Sequence, residues 1–122
     1  MNSRMNNRSC ELLGDFFAIF AHATRMRIFC ALSGEPRTVT EVAGYAGVSI
    51  ANASQHLRLM RDRGAVAAEK RAQSVYYHIA DPRFLEAVML IRATLLETLQ
   101  RSTEQAASPA GPRRRGRIFQ TA

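Results

Sequence analysis

The segment spanning residues 48–64 carries the side-chain types that contact nucleic acids. Read as a helix, its apolar positions Val48, Ala53, Leu57 and Met60 share one side and would face a core. The other side carries hydroxyl, amide, imidazole and guanidinium groups: Ser49, Asn52, Ser54, Gln55, His56, Arg58 and Arg61. Asparagine and glutamine can pair with the edge of adenine, and arginine binds guanine or phosphate. The pattern therefore favours a helix that enters the major groove of DNA.

Composition supports a polyanionic partner. The chain has 122 residues, about one domain, and a formal net charge of +7. An excess of this size favours nucleic acid or an acidic membrane surface. No run approaches ~18 apolar residues and the N-terminus lacks an apolar signal segment, so we expect a cytoplasmic protein that does not enter the membrane.

Soft-ligand or redox chemistry would fall to the two cysteines, Cys10 and Cys30. Two cysteines are too few for a disulfide scaffold. The three histidines are scattered along the chain, at His22, His56 and His78. We therefore expect no metal site built on histidine, and no cofactor. The absence of a nucleophile–histidine–acid set and of a glycine-rich phosphate loop predicts a protein that is not an enzyme.

Periodicity, caps and turns predict the elements that position these residues. In chain order they are helices over 9–20, 24–33, 38–44 and 49–63, strands on either side of a turn at 72–73, and a helix over 82–103. Ser9 and Thr24 would cap the first two helices. The fold class is mainly α with a small β-hairpin, in the order α-α-α-α-β-β-α, a winged helix-turn-helix.

Three regions are expected along the chain. Residues 1–8 would form a disordered arm, residues 9–104 the winged-helix and dimerisation domain, and residues 105–122 a disordered basic tail. The tail carries four arginines, at Arg113, Arg114, Arg115 and Arg117. They would add phosphate contacts, or they are a solvated tail with no defined role.

The first and last helices are apolar around too much of their circumference for a monomer of this size. We expect them to pack across a two-fold axis in a homodimer; the alternative is that they cover the core of one chain. The predicted interface positions follow the apolar stripes of the two helices: Leu12, Phe16, Ile19, Val88, Ile91 and Leu95.

Three runs of sequence resemble one known family. FFAIFAHATRMRIFCAL, TVTEVAGYAGVSIANASQHLRLMRDRGAV and SVYYHIADP, in this order and spacing, resemble the arsenic-repressor (ArsR/SmtB) family of winged-helix repressors. The resemblance covers about residues 12–100. It implies a homodimeric repressor that leaves double-stranded operator DNA when a small inducer binds. His22 departs from the family pattern, which often has aspartate at this position.

The resemblance also distributes roles over the DNA-binding face. By position, four residues would meet base edges or phosphates: Ser49, Asn52, Ser54 and Gln55. Phosphate contacts are expected from His56 and Arg58, and from Arg71 and Gln73 on the wing. Taken singly, each of these residues has a solvated surface position as its alternative. Ile50 would contact a thymine methyl group or pack on the neighbouring helix.

The resemblance also bears on the inducer. The third helix lacks the Cys-x-Cys of the family's arsenic and cadmium sites, and the last helix has no histidine for a zinc site. The RIFCAL context of Cys30 resembles the thiol-sensing branch, which answers persulfides or oxidants through two cysteines. That branch has its second cysteine where this chain has Leu95 and Leu96, so Cys10 would substitute. A thiol near a helix N-terminus is generally more reactive, which suits Cys10.

Several alternatives stay open. Two thiolates would also suit arsenite or mercury. Cys30 would otherwise be a small buried hydrophobe and Cys10 an incidental surface thiol. If neither cysteine senses an inducer, the chain would be a repressor without an inducer of its own. A separate alternative is a winged-helix module that binds protein rather than DNA.

Overall fold

The computed structural model describes residues 5–106. Over that range the elements are α1 (Asn7–Ile19), α2 (Ala23–Ala31), α3 (Val39–Ala46), α4 (Ile50–Asp62), β1 (Val66–Arg71), β2 (Ser74–Ile79) and α5 (Pro82–Ala106). The expected order of helices and strands is confirmed. The chain divides into two compact units, one ending at Phe84 and one beginning at Leu85, and each is described by itself.

The core of the first unit is built mainly by α2, α3, α4 and β1, with Ile19 from the end of α1. Its apolar residues are Ile19, Ile28, Phe29, Ala31, Leu32, Val42, Ala43, Ala46, Ala53, Leu57, Met60, Ala65 and Val66. Full burial of a side chain such as Phe29 or Leu57 contributes about 1.5–3 kcal/mol. Within residues 5–106 no polar or charged residue is fully buried, so this core is held by apolar packing.

Local capping fixes the helix-turn-helix. At the start of α3, the Thr38 hydroxyl accepts from the Glu41 N–H at 3.3 Å, and the Glu41 carboxylate accepts from the Thr38 N–H at 2.9 Å. α3 ends at Gly47, whose φ of 72° lies in the left-handed region that glycine adopts at little cost. The helix thus extends past Gly44, where the sequence predicted its end. Ser49 then caps α4.

The predicted caps of the first two helices are wrong. Asn6 has an extended backbone, and its Oδ1 accepts from the Ser9 N–H at 2.8 Å, so Ser9 lies inside α1. His22 caps α2 instead of Thr24, with Nδ1 accepting from the Thr24 N–H at 3.2 Å. Of the expected N-terminal arm, residues 1–4 lie outside the described range, whereas Asn7 and Arg8 are helical.

The hairpin forms around the expected turn at residues 72–73 and gains a partner that the sequence did not reveal. β1 and β2 are antiparallel, from Val66 opposite Ile79 to Arg71 opposite Ser74. Arg37 adds an isolated antiparallel bridge to β2: its N–H donates to the Tyr77 carbonyl at 2.9 Å and its carbonyl accepts from the Tyr77 N–H at 2.8 Å. The wing is therefore anchored to the segment that leads into α3.

An aromatic series ties α1 to the core. Phe16 packs on Phe84 with ring centroids 4.7 Å apart and on Phe20 at 5.3 Å, and Phe20 packs on Phe29 at 5.0 Å. Ile19 is completely buried, which corrects its predicted place in a dimer interface. Its side chain belongs to the core of its own chain because it lies at the end of α1 that meets α2.

Helix α5 begins at Pro82, where the missing N–H costs nothing. The Asp81 carboxylate accepts from the guanidinium and from the backbone N–H of Arg83, and these bonds lower the pKa of Asp81 to about 2. The exposed large apolar residues of α5 are Met89, Leu90, Ile91, Leu96 and Leu99. Gln105 lies within α5, and the expected tail beyond Ala106 lies outside the described residues. No helix within residues 5–106 is both long and apolar enough to cross a membrane.

Candidate nucleic-acid interface

The second helix of the helix-turn-helix presents a polar face. The Ser49 hydroxyl accepts from the Asn52 N–H at 3.0 Å, so its oxygen caps α4 while its O–H can still donate. Asn52, Gln55 and Arg58 are exposed and follow one another at intervals of three residues. They point from one side of α4, opposite the buried Leu57 side, as a groove-reading helix requires.

Further along α4, this face becomes a shallow concavity of about 280 Å³. Its lining residues follow the spacing of one helical face: Gln55, Arg58, Leu59, Asp62 and Arg63. Arg63 was not among the predicted DNA-binding residues. Its spacing of eight residues from Gln55 could have identified it, because residues at i, i+4 and i+8 share a face.

Ser54 and His56 are less exposed than the sequence suggested. Both are half-buried. The His56 ring lies 4.8 Å from the His22 ring, and its Nδ1 accepts from Arg25 Nε at 3.4 Å. Burial, followed by the charges of His22 and Arg25, lowers the pKa of His56 below its ordinary value of 6.5. His56 is therefore directed towards the α1–α2 junction.

The wing exposes Arg71 and Gln73 at its tip. Arg71 donates to the Glu69 carboxylate at 3.4 Å, and its guanidinium lies 5.1 Å from the Tyr76 ring centroid. An exposed ion pair of this kind stabilises by at most about 1 kcal/mol, so a phosphate can replace Glu69. Gln73 follows Ala72 in the turn and is exposed.

The two cysteines are both free thiols and both exposed. The alternative that Cys30 is a buried hydrophobe is therefore wrong: Cys30 lies on a groove of about 820 Å³ lined by the α1–α2 turn, α2, the segment between α2 and α3, and Tyr45 of α3. The groove is lined mainly by apolar residues, Phe20 and Met26 among them, together with Arg27 and Arg37. Cys10 does not line this groove. Within residues 5–106 no three His, Cys, Asp or Glu residues converge as metal ligands.

Comparison with known proteins agrees with this geometry. Residues 20–69 match the family described as "Helix-turn-helix domain". The HTH-type transcriptional regulator YgaV of Escherichia coli (strain K12) is 38% identical over 88 residues, which cover 71% of this chain and 85% of that protein. A probable mercury resistance operon repressor of Streptomyces lividans is 34% identical over 77 residues, 63% of this chain and 62% of that protein.

Solved structures share the fold. The crystal structure of Mycobacterium tuberculosis Rv0081 superposes with a TM-score of 0.74 at 30% identity, covering 80% of this chain and 99% of that one. A homodimeric winged helix-turn-helix DNA-binding domain of Mycobacterium bovis, a possible ArsR-family regulator, gives 0.72 at 21% identity, covering 83% and 95%. The relatives and the fold are those of transcription regulators, not of enzymes. The chain belongs to the ArsR/SmtB family of DNA-binding winged-helix transcriptional regulators.

Proposed function

We propose that this protein is a homodimeric cytoplasmic repressor that reads operator DNA with α4 and the wing. The observation that carries the proposal is the exposed polar and basic face of α4, placed opposite an apolar side that is completely buried at Ala53, Leu57 and Met60. Such a helix is rigidly held on one side and free to enter a groove on the other.

Roles within this face follow from exposure and chemistry. Asn52 and Gln55, in the first half of α4, are the proposed base readers, with Ser49 and Ser54 beside them. Arg58 on α4 meets phosphate in this proposal. Arg71 and Gln73 do so from the wing. His56 is the predicted phosphate contact that the geometry supports least, because its Nδ1 already accepts from Arg25 and its ring lies against the ring of His22.

Two substitutions test this division of roles by fluorescence anisotropy with a duplex that the wild-type protein enriches from a random library. Gln55→Ala should cost about 1–3 kcal/mol on that duplex and little on a scrambled one. Arg71→Ala should weaken binding to both duplexes alike and reduce the slope of log K against log salt by about one. Arg101→Ala, on the exposed surface of α5, is the matched control. If both test variants bind as the control does, the proposed face is wrong.

The homodimer is supported by apolar surface that one chain leaves exposed. On α1, Leu12 is 72% exposed and Phe17 is 51% exposed, and on α5 Leu90 is 69% exposed. Side chains of this size are rarely left in water as contiguous helix faces. Of the proposed contacts, Leu12 and Ile91 are exposed, whereas Phe16, Val88 and Leu95 are half-buried. The homodimeric Mycobacterium bovis domain supports the same assembly. Sedimentation equilibrium at micromolar concentration tests it, and a monomer there would reject it.

For the inducer, we propose a reagent that reacts with thiols, acting at Cys30 with Cys10 as the second thiol. The exposure of both sulfurs and the position of Cys30 on a groove support this assignment. An oxidant such as diamide would take up the two thiol hydrogens as the S–S bond forms, within a chain or between two copies. A bond of that kind needs Cα atoms about 4.4–6.8 Å apart.

The assignment is tested by operator binding of wild type, Cys10→Ser and Cys30→Ser, before and after diamide, polysulfide or mercuric chloride. Wild type should release DNA and both variants should retain it. Release by mercuric chloride alone would favour a metalloid or mercury inducer, in line with the Streptomyces lividans relative. Equal release by all three proteins would remove the cysteines from the switch.

A further inference from the structure

A cluster of three side chains joins the end of α1 to the recognition helix. Arg25, in the first turn of α2, donates from Nη1 to the Ile19 carbonyl at 3.3 Å and from Nε to His56 Nδ1 at 3.4 Å. The ring of His22 lies over that of His56, with centroids 4.8 Å apart and planes tilted by 54°. Arg25 thus bridges the last residue of α1 and the middle of α4.

The hydrogen bonds fix where each imidazole holds its lone pair. An arginine N–H and a backbone N–H can only donate, so Nδ1 of His56 and Nδ1 of His22 are both acceptors. In a neutral ring the proton then lies on Nε2. A proton added at Nδ1 of His56 would abolish its bond with Arg25 and would place a second cation against that guanidinium. A proton at Nδ1 of His22 would also remove the cap of α2.

Within residues 5–106, no acid is among the groups that shift the pKa of His56. The groups that act on His56 are His22, from the α1–α2 turn, and Arg25, from α2, and both disfavour its protonated form. The other charged or titratable side chains of α4 itself and of α2, α3 and β1, which pack against it, are exposed: Arg27, Cys30, Glu41, Tyr45, Arg58, Arg61, Asp62, Glu69, Lys70 and Arg71. Protonation of His56 would therefore produce a net repulsion between α2 and α4.

We propose that His56 is a positioning residue: in its neutral form it fixes α4 against Arg25 and the α1–α2 turn, and protonation of this cluster loosens α4 and weakens DNA binding. The proposal rests on the proposed role of α4 as the recognition helix. The DNA affinity of this chain would then decrease in acid, because His22 and His56 lie together where the α1–α2 turn meets α4.

The direction of the pH effect separates this role from a phosphate contact. A histidine that touches phosphate binds it more tightly when protonated, so acid would strengthen DNA binding. A histidine that holds α4 in place by accepting a hydrogen bond gives the opposite trend. The sign of the effect is thus diagnostic without knowledge of its size.

The experiment measures Kd by fluorescence anisotropy from about pH 7.5 to about pH 5.5, the range in which histidine titrates. The probe is the duplex that wild-type protein enriches from a random library, at constant ionic strength. The variants are His56→Asn, whose amide oxygen can still accept from Arg25 without titrating, and His78→Asn. His78 lies on β2, where its Nδ1 is 3.0 Å from the Ile79 carbonyl, and it serves as the matched histidine control.

Wild type and His78→Asn should lose affinity by about fivefold or more over this range, the lower end of usual coupling between two sites. His56→Asn should lose clearly less affinity than wild type over the same range, and an equal loss in both proteins would overturn the inference. A flat profile or tighter binding in acid for wild type would overturn the inference and leave the proposed DNA-binding function standing. The absence of DNA binding at any pH would overturn both.

A second readout does not depend on DNA. In NMR spectra of the full chain, the ring protons of His56 should titrate below the ordinary pKa of histidine. Backbone amides of α4 should shift together with the His56 ring. Shifts confined to His56, with α4 unaffected, would contradict the positioning role.

Discussion

The helix-turn-helix and the two helices α1 and α5 use the same residue types in opposite ways. In the helix-turn-helix, Val42, Leu57 and Met60 are completely buried. On α1 and α5, Leu12 is 72% exposed and Leu90 is 69% exposed. The first region is a core completed within one chain, whereas the second presents apolar faces for the proposed second copy. Apolar periodicity alone therefore does not distinguish a helix face that is buried in one chain from a helix face that is exposed in it.

The largest effect should come from the completed core. Leu57→Ala removes a fully buried side chain between α4 and its neighbours, and should lower the free energy of unfolding by about 2–5 kcal/mol. Leu90→Ala, at an exposed position, should cost much less when measured at a concentration at which the chain is monomeric. Urea denaturation followed by circular dichroism gives both values, and equal losses would erase the contrast between the two regions.

The next-largest effect is expected on the exposed apolar face of α1. Leu12→Glu places a charge on the exposed face of α1, and should weaken dimer formation by about 2 kcal/mol or more if that face is an interface centre. The monomer should keep its helical circular dichroism. Gln100→Glu adds the same charge at an exposed polar position of α5 and should leave the sedimentation profile unchanged. A dimer of Leu12→Glu as tight as wild type would move the interface elsewhere.

A smaller effect is expected at the tip of the wing, which belongs to neither region. Ala72 has a φ of 54°, the left-handed conformation that costs a residue with a Cβ more than it costs glycine. Ala72→Gly should therefore stabilise the fold by about 0.5–1 kcal/mol, seen as a rise in Tm. Ala68→Gly, inside β1, is the contrasting control and should lower Tm. A fall in Tm for both variants would mean that the turn is not under strain.

The smallest effect is a pH dependence of stability within the packed region. Folding lowers the pKa of His56, so the unfolded chain binds more protons below about pH 6.5. The stability that neutral His56 contributes is complete above that pH and is lost as pH falls through the lowered folded-state pKa of His56. His56→Asn should flatten this decline in Tm, and His78→Asn should leave it unchanged. A decline identical in all three proteins would assign it to other groups.

Much of the fold was predictable from local sequence. The order of elements, the helix that follows Ser49, the strands around Ala72 and the start of α5 at Pro82 depend on residues within a few positions of one another. The exposed side of α4 at Asn52, Gln55 and Arg58 followed from helical periodicity for the same reason. The caps were not predictable in this way, because Asn6 and His22 lie just before Ser9 and Thr24 and accept from the backbone N–H groups of those two residues.

The sequence by itself determined which segments are helices and strands and which side of α4 is polar, since hydrogen-bonding and apolar periods act over one or two turns. Only the tertiary structure decided that Ile19 is buried in its own chain and that Cys30 is exposed on a groove. It also decided that His56 meets Arg25, 31 residues away. These outcomes depend on which helices pack together and at what angle, and that is set by the fit of whole surfaces rather than by spacing along the chain.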